Sequence, residues 1–140
     1  MTARHSLARL VYEDAAMLGL GFTESRVWQS SAIDTPDRSG PFVVINVDAT
    51  AKAFGITGQD TVSYWVHVPR ERVRDYGLID IAIARLKELM EEVVHLAGED
   101  GWSLTAASWV DASRDFTDEA FNTIVKTVTF QVASRSLVTP

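Results

Sequence analysis

The chain has no cysteine among its 140 residues, which removes a disulfide framework, a thiolate metal site and a cysteine nucleophile together. No window approaches the roughly 18 consecutive apolar residues of a membrane span, and residues 1–9 carry two arginines without an apolar stretch of signal-peptide length. A cytosol-like compartment and no membrane partner are the expectation. Positive charge is also scarce, with 13 lysines and arginines against 19 aspartates and glutamates and a net charge of −6. Such a surface repels phosphate backbones, so direct nucleic-acid recognition is not expected.

What remains is an ordinary globular composition, 46% hydrophobic and 23% charged, too apolar for a disordered chain. The length suits a single domain over residues 1–140, large enough to bury roughly 68–70% of its unfolded surface without covalent staples. No internal repeat of solenoid spacing and no low-complexity tract interrupts it.

Periodicity supplies the elements. Leu7, Leu10, Val11, Met17 and Leu18 fall at helical spacing, which predicts a first helix over residues 2–18, with Thr2 as its cap and Gly19 and Gly21 behind it. Residues 23–41 are polar, hold Pro36 and Pro41, and read as a long loop with a short edge strand near Val27. A loop of that length in a small domain is often functional or ordered by a partner. Residues 42–47 form a nearly unbroken β-branched and aromatic run, the pattern of a strand covered on both faces.

Residues 61–68 alternate, with Val62, Tyr64, Val66 and Val68 on one face and Ser63, Trp65 and His67 on the other. A helix is predicted over residues 78–97 from the stripe Ile79, Ile83, Leu86, Met90, Val93 and Ala97, with Gly98 as its cap. Residues 102–110 and 121–132 then read as two strands joined by a charged loop over residues 111–120. The order α-β-β-α-β-β predicts an α+β fold, a four-stranded, mostly antiparallel or mixed sheet with two helices packed on one face. Residues 134–140 are expected to form a flexible tail.

Chemistry is hard to locate in this sequence. His5, His67 and His95 lie in different elements without ligand spacing, so no metal site is expected. Gly19-Leu20-Gly21 follows a helix and lacks a third glycine, which makes it a helix stop and not a dinucleotide cradle. No serine sits in GxSxG or SxxK. Asp14, Asp80 and Asp115 could meet in space, but their default role is surface or helix-terminal charge. Neither a cofactor nor a catalysed reaction is expected.

Surface aromatics and cations are more informative. Residues 70–74 are the one dense basic cluster, with Arg70 and Arg72 as candidates for an acidic partner, set against a solvated loop ahead of a helix. By alternation Trp65 and His67 point away from the helices, and Trp109 is assigned to that same outer face beside Thr127 and Thr129. Two readings stay open: an uncovered sheet face anchoring a protein contact, or a face covered by the loop of residues 23–41.

The run Tyr64-Trp65-Val66-His67-Val68-Pro69, then Asp75-Tyr76-Gly77, the long helix ending near Gly98 and the closing β-hairpin resemble the tail terminator (tail completion) proteins of long-tailed, siphovirus-type bacteriophages. The similarity spans residues 42–134 and lies in element order, length and texture. It implies a homohexameric ring that caps the tail tube, ends tube polymerisation and offers a surface to the head-tail connector protein. The implied partners are further copies of the chain, the tail tube protein and the connector. The implied location is the head-proximal end of the tail in the virion, with the host cytoplasm during assembly. On this reading Lys52, Phe54, Arg114 and Phe116 touch the tube or the neighbouring subunit, while Trp65 and Trp109 serve a sheet-face contact. Alternatives are a head-closure or neck joining protein of the same virion, and a small-ligand-binding regulatory α+β module whose long loop covers a pocket.

Overall fold

A computed structural model describes residues 4–28, 40–49, 59–69, 76–92, 96–97, 102–113, 115–118 and 123–136. Within them the elements run α1 (Arg4–Tyr12), α2 (Ala15–Leu20), a 3-10 turn (Glu24–Arg26), β1 (Val27–Trp28), β2 (Phe42–Ala49), β3 (Gln59–Pro69), α3 (Gly77–Glu92), β4 (Leu96–Ala97), β5 (Trp102–Ala112), β6 (Phe116–Asp118) and β7 (Thr123–Ser136). The strands form one mixed sheet in the order β1-β2-β3-β7-β5-β4, with β6 paired to β7 beside the end of β5. Only β1 against β2 is parallel, and every other pairing is antiparallel. The α+β class agrees with the sequence reading, whereas the described residues hold seven strands and three helices where four and two were predicted.

The predicted first helix is two helices because Asp14 interrupts it. This residue is extended, at φ −80° and ψ 127°, and its side chain accepts a hydrogen bond from the Met17 amide at 3.1 Å, which is N-cap behaviour that restarts the helix instead of continuing it. The same carboxylate receives the Arg85 guanidinium at 2.7 and 3.0 Å, tying α2 to α3. Gly21 closes α2 at φ 108°, a left-handed conformation that a side chain would resist, and the amides of Gly21 and Phe22 satisfy the carbonyls of Leu18 and Met17.

α3 also ends before residue 97. The helical stripe holds for Ile79, Ile83, Leu86 and Met90, all buried, but Leu96 and Ala97 pair with Leu104 and Ser103 as β4. Backbone pairing at a strand edge has outweighed a helical pattern there. The expected tip of the last hairpin likewise contains a strand, β6, and β7 runs on to Ser136 where a tail from residue 134 was expected. The other corrected bounds extend predicted strands by one to three residues and rest on ladder pairing that polarity does not reveal.

The core lies between the helices and one face of the sheet. Val62, Tyr64, Val66 and Val68 of β3 meet Leu7, Val11, Met17, Ile79, Leu86 and Met90, with Phe130 and Val128 of β7 beside them. Tyr64 is fully buried, packs edge-on to Phe130 at 6.1 Å and donates its hydroxyl to the Leu7 carbonyl at 3.0 Å. Burial pushes its phenol above the ordinary tyrosine range.

Asp14 carries the one link between α2 and α3 that is both cap and ion pair. Hydrogen bonding from Arg85, helped by the Met17 amide, holds its carboxyl below the usual carboxylate range against the opposing effect of burial. A group with a depressed folded pKa stabilises above its unfolded value and loses that contribution as pH falls through the folded one. Asp14→Ala is expected to lower unfolding free energy by about 1 kcal/mol in urea melts at neutral pH, as for loss of an N-cap, and by less below pH 4.

Candidate interaction surfaces

Both faces of the central strands are buried near the start of β2. Phe42, His67, Val125 and Phe116 occupy one register row across β2, β3, β7 and β6, on the face away from the helices. Phe42, His67 and Val125 are 1%, 2% and 0% exposed, so this end of the outer face is closed to solvent. His67 lies flat on Phe42, with centroids 4.5 Å apart and planes 7° apart, and its Nδ1 lies 2.9 Å from Thr123 Oγ1. Trp65, one row along, meets Phe116 edge-on at 6.0 Å. Its Nε1 is buried and has no hydrogen-bond partner, an arrangement that costs about 1–3 kcal/mol and that ring packing offsets in part.

Trp65 is therefore a half-buried packing residue and not an open anchor, which corrects the reading of an uncovered aromatic face at this end. Further along, the same face turns polar and half-exposed: Ser63 Oγ lies 3.2 Å from Thr129 Oγ1, with Asn46, Thr61, Thr127 and Gln131 on the rows around them.

Trp109 lies on the opposite face from the one expected. It pairs with Phe130, which pairs with Val62, so all three share the helix side. Its ring meets Phe130 edge-on at 5.7 Å, and Lys87 Nζ of α3 sits 4.7 Å from its centroid, a cation–π contact typically worth about 0.5–1 kcal/mol where solvent reaches it. Alternation failed here because β5 is irregular twice, between Leu104 and Ala106 and between Trp109 and Asp111, and each extra residue reverses which side chains face the core. Trp109 is 38% exposed and Val110, the extra residue of the second bulge, 52%. Val110 was missed because a bulge has no composition signal in an apolar strand.

Lys52, Phe54, Arg70, Arg72 and Arg114 lie outside the described residues. Phe116 stands in β6, where its carbonyl accepts the Tyr76 hydroxyl at 2.6 Å. The aspartates that could have met in space are divided between cations. Asp80 and Asp115 approach Lys126 at 3.1 and 3.7 Å, while Asp14 is held by Arg85. Each is a structural ion pair, and hydrogen bonding to Asp80 raises the Lys126 pKa accordingly. Among the described residues no group of three or more His, Asp or Glu side chains is arranged to hold a metal. No helix of the described residues is long and apolar enough to cross a membrane.

A cleft of about 340 Å³ opens where the end of α2 meets the ends of β3 and the start of α3, lined by Leu18, Gly21, Arg26, Pro41, Pro69 and Leu78 among others. Among the described residues, Arg26 is the one charged residue of its lining.

No protein-family model matches this sequence, and no curated protein matches it. A solved structure does. It is a chain from the "Virion of native gene transfer agent (GTA) particle", superposing with a TM-score of 0.65 at 16% identity over 95% of this chain and 94% of that one. At that identity the likeness is one of fold, and it runs through nearly the full length of both chains.

His67 provides a direct check on the buried outer face. Burial lowers its pKa from 6.5 to about 4, with Asp118 pulling weakly the other way. The unfolded chain thus binds a proton that the folded chain refuses, and stability is complete above pH 6.5 and declines as pH falls toward 4. Stability measured against pH should lose that slope in His67→Gln, while the separate decline below pH 4, where Asp14 becomes protonated, remains.

Proposed function

We propose that the protein is a virion structural protein, a tail terminator that forms a homohexameric ring on the tail tube, ends tube polymerisation and presents a joining surface to the head connector. The observation that carries the reading is the full-length likeness of fold to a virion chain, which meets a sequence texture already similar to tail terminators. The described surface fits this role. It offers half-exposed polar sheet rows, an exposed bulge at Val110 and a cleft at the end of α2, features that suit contact with other subunits. We assign it no reaction and no cofactor, and locate it at the head-proximal end of the tail, with assembly in the host cytoplasm.

A head-closure or neck protein of the same virion would share the size and the mixed α/β make-up, and the partner bound separates the two. Tail tube subunits polymerised with and without the protein give the test. Tubes should stop growing and carry a density at one end when it is present. Unchanged tube growth, together with binding to isolated heads or connectors, would transfer the assignment to the neck.

A further inference from the structure

Among the described residues four large apolar side chains stand exposed, and they fall into two groups, Leu18 with Ile81 and Trp109 with Val110. α3 separates the groups. Arg85 reaches to Asp14 at the start of α2, while Lys87 reaches to the Trp109 ring on β5. Residues two apart stand about 200° from each other around a helix, so α2 lies along one flank of α3 and Trp109 along the other. Asp14 meets Arg85, and Leu18 lines the same cleft as Leu78. α2 therefore runs antiparallel to α3, which sets Leu18 level with the turn that carries Ile81.

The two flanks differ in shape and in charge. α2 has no charged or polar side chain, and Ala15, Ala16, Leu18 and Gly19 are exposed on it, as is Ala84 beside Ile81 on α3. A Cβ added at Gly19 would meet nothing within 4 Å, so this flank is a low, open apolar surface. At its rim the Arg9–Glu13 and Arg85–Glu88 bridges each present the carboxylate as the more exposed member. The other flank is a projection, where the second bulge of β5 leaves Val110 exposed beside the Trp109 ring. It carries the opposite sign. The exposed Lys87 ammonium stands 4.7 Å from the Trp109 centroid, while Asp111 turns one carboxylate oxygen to the Ala112 amide at 2.7 Å.

We propose that the Trp109–Val110 projection of one copy seats on the α2–α3 surface of the next, with its Lys87 facing Glu88, and that this contact is the joint of the ring; the inference rests on the ring reading above. The occupant is a second copy because the chain carries both halves of the contact. A bulky projection beside a cation and a low surface rimmed by carboxylates stand on opposite flanks of one helix. Unlike patches on opposite sides join head to tail, the contact from which rings are built, whereas one self-complementary patch would stop at a dimer. An indole at the middle of such a contact is where binding energy concentrates.

The chain has no cysteine, so introduced thiols report this contact without background. Ile81→Cys protein mixed with Val110→Cys protein, with tail tubes present and a short bis-maleimide added, should yield a covalent dimer that neither variant yields alone. Both substitutions in one chain should yield a ladder ending at the ring size. A dimer from either single variant alone would mean a two-fold contact and would overturn the proposal. So would a multimer that the mixture fails to cross-link, although the ring reading would survive. A ladder from protein that leaves tube growth unchanged would keep the contact and remove the terminator role. A monomer at every concentration, without cross-links on tubes, would remove both. As a second variant, Leu18→Lys puts a cation on an already exposed position of the seat. It should raise the concentration needed for assembly by about tenfold or more without altering the thermal melt of the monomer, and an unchanged assembly concentration would overturn the proposal.

Discussion

Strand β3 has to bury both of its faces, and the rest of the structure follows from how it does so. Its even-numbered residues, Val62 through Val68, form the floor on which all three helices lie. The odd-numbered Trp65 and His67 need cover from the other side, which β2 and β6 supply through Phe42 and Phe116. Burying a two-sided strand commits its neighbours in the sheet, and a slip of one residue would exchange Tyr64 with Trp65 between two unlike environments. The Tyr64 hydroxyl adds direction to that packing, because its bond to the Leu7 carbonyl fixes where α1 crosses.

Much of this was legible in the sequence. The alternation of residues 61–68 holds; the two-sided burial expected of residues 42–47 holds over 42–45, with Asn46 and Val47 partly exposed; and the helical stripe holds for Ile79, Ile83, Leu86 and Met90. What escaped has a common cause: the decisive partner was distant in sequence. Asp14 looks like surface charge until Arg85, 71 residues away, meets it. Leu96 and Ala97 continue a helical stripe until β5 offers them a backbone ladder. Trp109 lies between two bulges of β5, so its phase is opposite to that of the strand on either side of them. Polarity encodes the period of a strand, and it does not encode an extra residue within it.

The same comparison explains why the candidate site was only partly legible. Trp65 was correctly placed on the outer face, but its role there is internal packing beside Phe116. The exposed apolar residue Val110 owes its position to an irregularity. Among the described residues, Asp14, Asp80, Asp115 and Lys126 are matched with opposite charges, and His67 is enclosed and kept neutral.

Assembly is the central claim, and mass in solution tests it most directly. Light scattering across a wide range of protein concentration, with and without tail tubes, should reveal a closed six-subunit species, free or on the tube end, that imaging resolves as a ring. A strict monomer under both conditions would contradict the account.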